Sequence, residues 1–165
     1  MPKNVSRKIG FGGGCHWCTE AVFQSLNGVY KVEQGWIAST KIQSTFSEAV
    51  IVHFDPENIS LTQLISVHLR THSSASNHAM RKKYRSAIYY FSIPQEKESL
   101  AAIDQIQLKI PKSIITQVLP FVQFKPSPEQ FQNYFKKNPK KEFCQRYIVP
   151  KLELINELRI NRIEQ

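Results

Sequence analysis

Sulfur, acidic groups and long apolar stretches are scarce in this chain of 165 residues. It has three cysteines, two methionines and 13 acidic residues against 22 lysines and arginines. No apolar run approaches the ~20 residues that a membrane-spanning helix needs, so no membrane span is expected. The opening Met1-Pro2-Lys3-Asn4-Val5-Ser6-Arg7-Lys8 is basic but lacks the apolar stretch of a secretory leader, which predicts a cytoplasmic protein. Three cysteines, an odd number, do not make a disulfide framework; in a reducing compartment they point to redox or nucleophilic chemistry. A single Cys-x-x-Cys with no second pair argues against a zinc site. No repeat, low-complexity tract or linker divides the chain. It is expected to form one domain, 1–165, and its 41% hydrophobic content suffices for a core.

The formal net charge is +9. The cations cluster at Arg81-Lys82-Lys83 with Arg85, and from Lys136-Lys137 through Lys140-Lys141. Such an excess suits nucleic-acid binding, but equally a soluble basic face or attraction to acidic proteins. Nucleic acid is not the expected partner.

What is present is concentrated near the start, in Gly10-Phe11-Gly12-Gly13-Gly14-Cys15-His16-Trp17-Cys18-Thr19-Glu20. A glycine cluster delivers Cys15 to a predicted helix start, and Cys18 follows one turn later. A helix N-terminus offers unpaired N–H groups and the positive end of the peptide dipole, and both favour a thiolate. Cys15 is therefore the candidate nucleophile.

Patterning predicts a strand over 7–11, a helix over 17–26 stopped by Asn27-Gly28, and strands over 29–37 and 47–54. Ser60 caps a helix over 61–70. A polar loop, 71–83, leads to a strand over 85–92, and Pro94 opens a helix reaching about Leu108. A last strand, 114–122, is interrupted by Pro120. A short helix over 128–137 and a tail helix over 152–163 complete the chain. The order implies an α+β fold around one mostly antiparallel sheet.

The segment Gly14-Cys15-His16-Trp17-Cys18-Thr19-Glu20 resembles the signature of peptide methionine sulfoxide reductase A (MsrA), usually Gly-Cys-Phe-Trp-Cys/Gly-x-Glu. The likeness continues in order through Leu26-Asn27-Gly28-Val29, Ser47-Glu48-Ala49-Val50, Phe54-Asp55-Pro56 and Tyr84-Arg85-Ser86-Ala87-Ile88-Tyr89-Tyr90. It ends in Phe131-Gln132-Asn133-Tyr134, Asn138-Pro139 and Cys144 with Ile148-Val149-Pro150-Lys151-Leu152. It covers most of 7–152, leaving a C-terminal tail. The resemblance implies a ferredoxin-like α/β sandwich, mostly antiparallel, with helices packed on the sheet. It implies reduction of the S epimer of methionine sulfoxide, free or in oxidised proteins and peptides, with thioredoxin as electron donor. No metal or organic cofactor is expected, and the working form is taken as a monomer.

Roles follow by position. Cys15 would attack the sulfoxide sulfur and end as a sulfenic acid. Glu48 is carried over as the acid and Tyr84 as a second hydroxyl donor to the leaving oxygen. Trp17 would wall the pocket for the S-methyl group. Cys144, expected on a mobile segment, and Cys18 are the candidate resolving and recycling thiols. The implied order is Cys15–Cys144 first, then transfer to Cys18 or directly to thioredoxin.

The departures cluster at the pocket. His16 replaces the phenylalanine that forms half of the aromatic wall. Trp36 stands where the family has a tyrosine, and an indole cannot act as a phenol does. No carboxylate lies near Ala79, where the family keeps an aspartate; His72-Ser73-Ser74 replaces His-Asp-Pro, and Phe131 replaces a histidine. Fewer carboxylates and more cations would favour an ionised Cys15 but also a deprotonated Glu48, and a protonated His16 could then donate instead. Altered efficiency or substrate preference is expected. The competing expectation is a redox sensor or binding protein that has kept this fold and lost most turnover.

Overall fold

The computed structural model describes residues 7–72 and 84–163. Six strands form one sheet in the order β5-β4-β1-β3-β2-β6. They are β1 (Arg7–Gly12), β2 (Val29–Ala38), β3 (Ser47–Phe54), β4 (Ala87–Tyr90), β5 (Gln117–Pro120) and β6 (Gln123–Pro126). Every neighbouring pair is antiparallel except β4 with β5. The helices are α1 (His16–Gln24), α2 (Leu61–Thr71), α3 (Ile93–Gln107), α4 (Tyr134–Lys137) and α5 (Val149–Ile163).

Strand alternation divides the sheet into two faces. Ile9, Phe11, Val50, Val52, Phe54 and Ile88 join apolar residues of α1, α2 and α3 in the main core. On the other face Ile37, Ala49, Ile51, Ala87 and Tyr89 close on Leu119, Phe121 and Phe124. That second core exists because the sheet curls. β5 and β6 occupy opposite edges, yet only Phe121 and Val122 separate them. Five strand spacings of ~4.8 Å make a flat sheet about 24 Å wide. Three residue steps reach only about 11 Å. The edges therefore converge: the Phe121 N–H donates to the Tyr90 carbonyl on one side (2.9 Å) and the Val122 N–H to the Ala38 carbonyl on the other (3.2 Å).

The expected helices are present, with physical reasons for their ends. Gly28 takes φ +95° just after α1. Ser60 and Gln63 form a reciprocal capping box on α2, each side chain accepting from the other's N–H (3.1 and 2.9 Å). The strand expected over 114–122 is shorter and is followed by the unexpected β6, which pairs with β2. The short helix expected over 128–137 is split, because Asn133 adopts a left-handed conformation (φ 56°, ψ 38°) between a 3₁₀ turn and α4. The tail helix starts earlier, at Val149, directly after a π-helical turn, Cys144–Ile148. Cys144 is accordingly 0% exposed and held in regular structure, not on the loose segment expected. Most of the polar loop, 73–83, with the Ala79 position and the Arg81-Lys82-Lys83 cations, lies outside the described residues.

Candidate active site

β1 ends at Gly12, squeezed between two other backbone segments. A Cβ there would lie 2.9 Å from the Arg85 carbonyl oxygen and 3.1 Å from that of Glu48. Only glycine permits this approach, and it brings the start of α1 beside Glu48. Cys15 is the N-cap of α1; its carbonyl accepts from the N–H groups of Cys18 (3.1 Å) and Thr19 (3.2 Å). No side chain caps the helix, and the half-buried thiol itself sits at its N-terminus, toward the positive end of the helix dipole.

The Cys15 thiol is drawn below the ordinary cysteine range. The largest cause is a hydrogen bond donated by the Cys18 thiol; the Trp17 and Cys18 N–H groups add to it, against burial and the Glu48 charge. The same hydrogen bond, with burial, pushes Cys18 strongly up, while the Lys151 charge pulls it down. Of the two thiols, Cys15 is thus the one favoured to ionise, with Cys18 as its hydrogen-bond donor.

Glu48 projects from β3, opposite Trp36 on β2, and is only 6% exposed. Its Oε1 accepts from the His16 backbone N–H (3.2 Å) and lies 3.4 Å from His16 Nε2. The other ring nitrogen, Nδ1, is 2.8 Å from the Gly35 carbonyl. A carbonyl only accepts, so Nδ1 carries a hydrogen. Trp36 meets the His16 ring edge-on at 5.2 Å. Tyr84 is half-buried and precedes Arg85, whose N–H is fixed by Ser47 Oγ (2.7 Å) next to Glu48.

An aromatic stack forms the remaining wall. Trp17 lies face to face with Tyr134 (centroids 4.0 Å apart, planes 6° apart), continues to Phe131 at 6.0 Å, and meets the edge of Phe143 at 5.5 Å. The Trp17 indole N–H is buried without a partner among the described residues. Cys18 and Cys144 pack together with Ala21 and Ile148, with Cys15 against them, and all three cysteines are unbridged. Burial pushes the Cys144 thiol up. Among the described residues no group of three or more histidines, cysteines or acids could hold a metal ion. No helix of the described residues is long and apolar enough to cross a membrane.

Glu20 went unassigned at the sequence level, beyond its place in the motif. It is 1% exposed and organises the aromatic wall. Its Oε1 accepts from Gln34 Nε2 (2.9 Å) and the Tyr134 N–H (3.1 Å), and its Oε2 from the Asn133 N–H (2.9 Å). Burial raises its pKa, opposed by these three hydrogen bonds. The carboxylate thus fixes the left-handed Asn133 and sets Tyr134 onto Trp17. Glu20→Gln puts an NH2 group where a donor already points. The expected loss is about 1–3 kcal/mol of stability, with a raised KM as Tyr134 loosens. Thermal unfolding and steady-state kinetics check both.

An activated thiol at a helix N-terminus, beside a buried carboxyl and an aromatic wall, has the make-up of a thiol-dependent oxidoreductase. The family model described as peptide methionine sulfoxide reductase matches residues 7–162. A peptide methionine sulfoxide reductase MsrA of Acinetobacter baumannii (strain AYE) is 33% identical over 156 residues, covering 86% of this chain and 90% of the relative. The chain belongs to the peptide methionine sulfoxide reductase family. Its fold resembles that of Mxr1 from Saccharomyces cerevisiae in reduced form (TM-score 0.75, 23% identity, 87% of this chain and 91% of that one). It also resembles Mxr1 in complex with Trx2 (TM-score 0.63, 23% identity, 81% and 87%).

Proposed function

We propose that this protein reduces the S epimer of methionine sulfoxide, in oxidised proteins and peptides or free, with Cys15 as nucleophile. The observation that carries the reading is the Cys15 thiol at the α1 N-terminus, accepting a hydrogen bond from Cys18 beside Glu48. The thiolate attacks the sulfoxide sulfur. Glu48 gives a proton to the sulfoxide oxygen, and the Tyr84 hydroxyl is the second donor. The S–O bond breaks, the oxygen passes to the Cys15 sulfur, and methionine leaves. Trp17 and the stacked Tyr134 receive the S-methyl group, and the unpartnered Trp17 N–H is a donor for the substrate. Trp36 and His16 close the opposite side.

Cys144 then attacks the sulfenic sulfur, giving the Cys15–Cys144 disulfide and water. Thioredoxin reduces that disulfide, directly or after exchange with Cys18, and is itself oxidised. The fold shared with Mxr1, captured with Trx2, supports this partner. The whole chain acts as one domain, and a monomer suffices because every group named comes from one chain. A reducing, cytoplasmic setting suits three cysteines that work as thiols.

The test is steady-state reduction of the two epimers of a methionine sulfoxide peptide with dithiothreitol. Turnover of the S epimer alone is expected. Equal rates on both epimers, or none on either, would overturn the proposal.

A further inference from the structure

On the side of Cys15 and Cys18 away from the aromatic wall, a small cleft is lined by both thiol residues, the end of α2 and Lys151 of α5. Lys151 stands in the first turn of α5, half-buried, and its Nζ donates to the carbonyl of Thr71, the last residue of α2. A long cationic side chain is thus folded inward and anchored at a helix C-terminus, where a positive charge is favoured. Burial lowers its pKa, and the charges of Cys18 and Cys15 oppose that only in part.

We propose that Lys151 is a positioning residue for the proposed nucleophile, the counter-charge that keeps the single negative charge on the Cys15–Cys18 pair. The inference rests on the reading of Cys15 as the reactive thiol. Among the described residues, the other titratable groups near the pair are Glu48, His68, His72, Cys144 and Tyr134, and of these only the histidines could be cationic. Glu48 on β3 is acidic and opposes a negative charge on Cys15. His68 and His72 of the α2 end are held by hydrogen bonds: His68 Nε2 to the Gly12 carbonyl (2.9 Å), His72 Nδ1 to the His68 carbonyl and Nε2 to Ser86 Oγ (2.9 Å). Cys144 and Tyr134 become anionic when they ionise, and burial pushes both up. An ammonium in the same cleft acts on the sulfurs through protein, where charge interactions are stronger than in water. When Cys15 is oxidised, Cys18 loses the thiolate it donated to, and Lys151 then faces Cys18 alone, which favours the Cys18 thiolate for exchange.

The experiment is the pH dependence of Cys15 alkylation by iodoacetamide, followed by peptide mass in the full-length protein. Lys151→Met and Lys151→Gln are expected to move the midpoint up by about one pH unit, an approximately tenfold slower reaction at pH values below it. Lys151→Arg should keep the wild-type midpoint. The plateau rate at high pH, which a purely structural role would change, should stay constant in all three. A wild-type midpoint in the Met and Gln variants, or an Arg variant shifted as far as Met, would overturn the proposal. If one neutral variant does not fold, the other carries the comparison. Because alkylation needs no sulfoxide, a protein that fails to reduce methionine sulfoxide but shows the shift refutes the function and leaves this inference standing.

Discussion

Glu48→Gln should lower kcat by roughly 10²–10⁴-fold with little change in KM, the scale on which a placed proton donor acts. Glutamine keeps the size and keeps an oxygen to accept the His16 N–H. What it removes is an ionisable carboxyl 3.4 Å from His16 Nε2. The tautomer gives this contact its meaning. With Nδ1–H committed to Gly35, a neutral His16 turns a lone pair toward Glu48. Two acceptors face to face repel, so the contact is attractive only with one proton between them. A proton on either the carboxyl or the ring turns the contact into a hydrogen bond.

The measurement is kcat against pH for wild type, Glu48→Gln and His16→Phe. The His16→Phe profile is expected to change shape, because one of the two proton carriers is gone. A Glu48→Gln enzyme within twofold of wild type would move the acid role elsewhere. Activity kept in Glu48→Gln but lost in His16→Phe would assign it to His16.

The parts of this site that were legible in the sequence depend on short-range geometry. Cys15 could be placed at a helix start because glycines precede it and the helix pattern follows it. The β3 strand was legible from its Val50-Ile51-Val52 run and the Asp55-Pro56 stop, but the role of Glu48 came from the family resemblance, since the strand pattern alone would as well let it face solvent. What escaped depends on distant partners. β6, Gln123–Pro126, is polar, ends in proline, and becomes a strand only because the curled sheet presents the edge of β2 to it. The break at Asn133 is imposed by a carboxylate 113 residues earlier. The inward turn of Lys151 has no local signal either: it lies just before the helix expected from Leu152, and nothing in the adjacent residues marks it for burial. Only the approach of α2 and α5 makes it an interior cation.

Cys144→Ala should abolish thioredoxin-supported turnover after the first cycle, while one equivalent of methionine per enzyme still forms. Cys15 attacks without help from Cys144, so the burst survives; resolution of the sulfenic acid does not. The fold should tolerate the change, since removing one buried sulfur costs only about 1 kcal/mol. The native setting makes the outcome informative. Cys144 is 0% exposed and already packed against Cys18, with Cys15 at the edge of the same cluster. A disulfide to Cys15 needs a Cα separation of about 4.4–6.8 Å. The π turn that carries Cys144 holds an extra residue per turn, and such turns are frequent at functional sites. Relaxing it toward α geometry rotates Cys144 relative to α5 without unfolding the helix. Rapid-quench counting of methionine, with trapping of the Cys15 sulfenic acid by a dione, separates the steps. A single-equivalent burst followed by trapped sulfenic acid places Cys144 as the resolving thiol. Continued turnover at the wild-type rate would instead give resolution to Cys18 or to thioredoxin itself, and the order Cys15–Cys144 before exchange would be wrong.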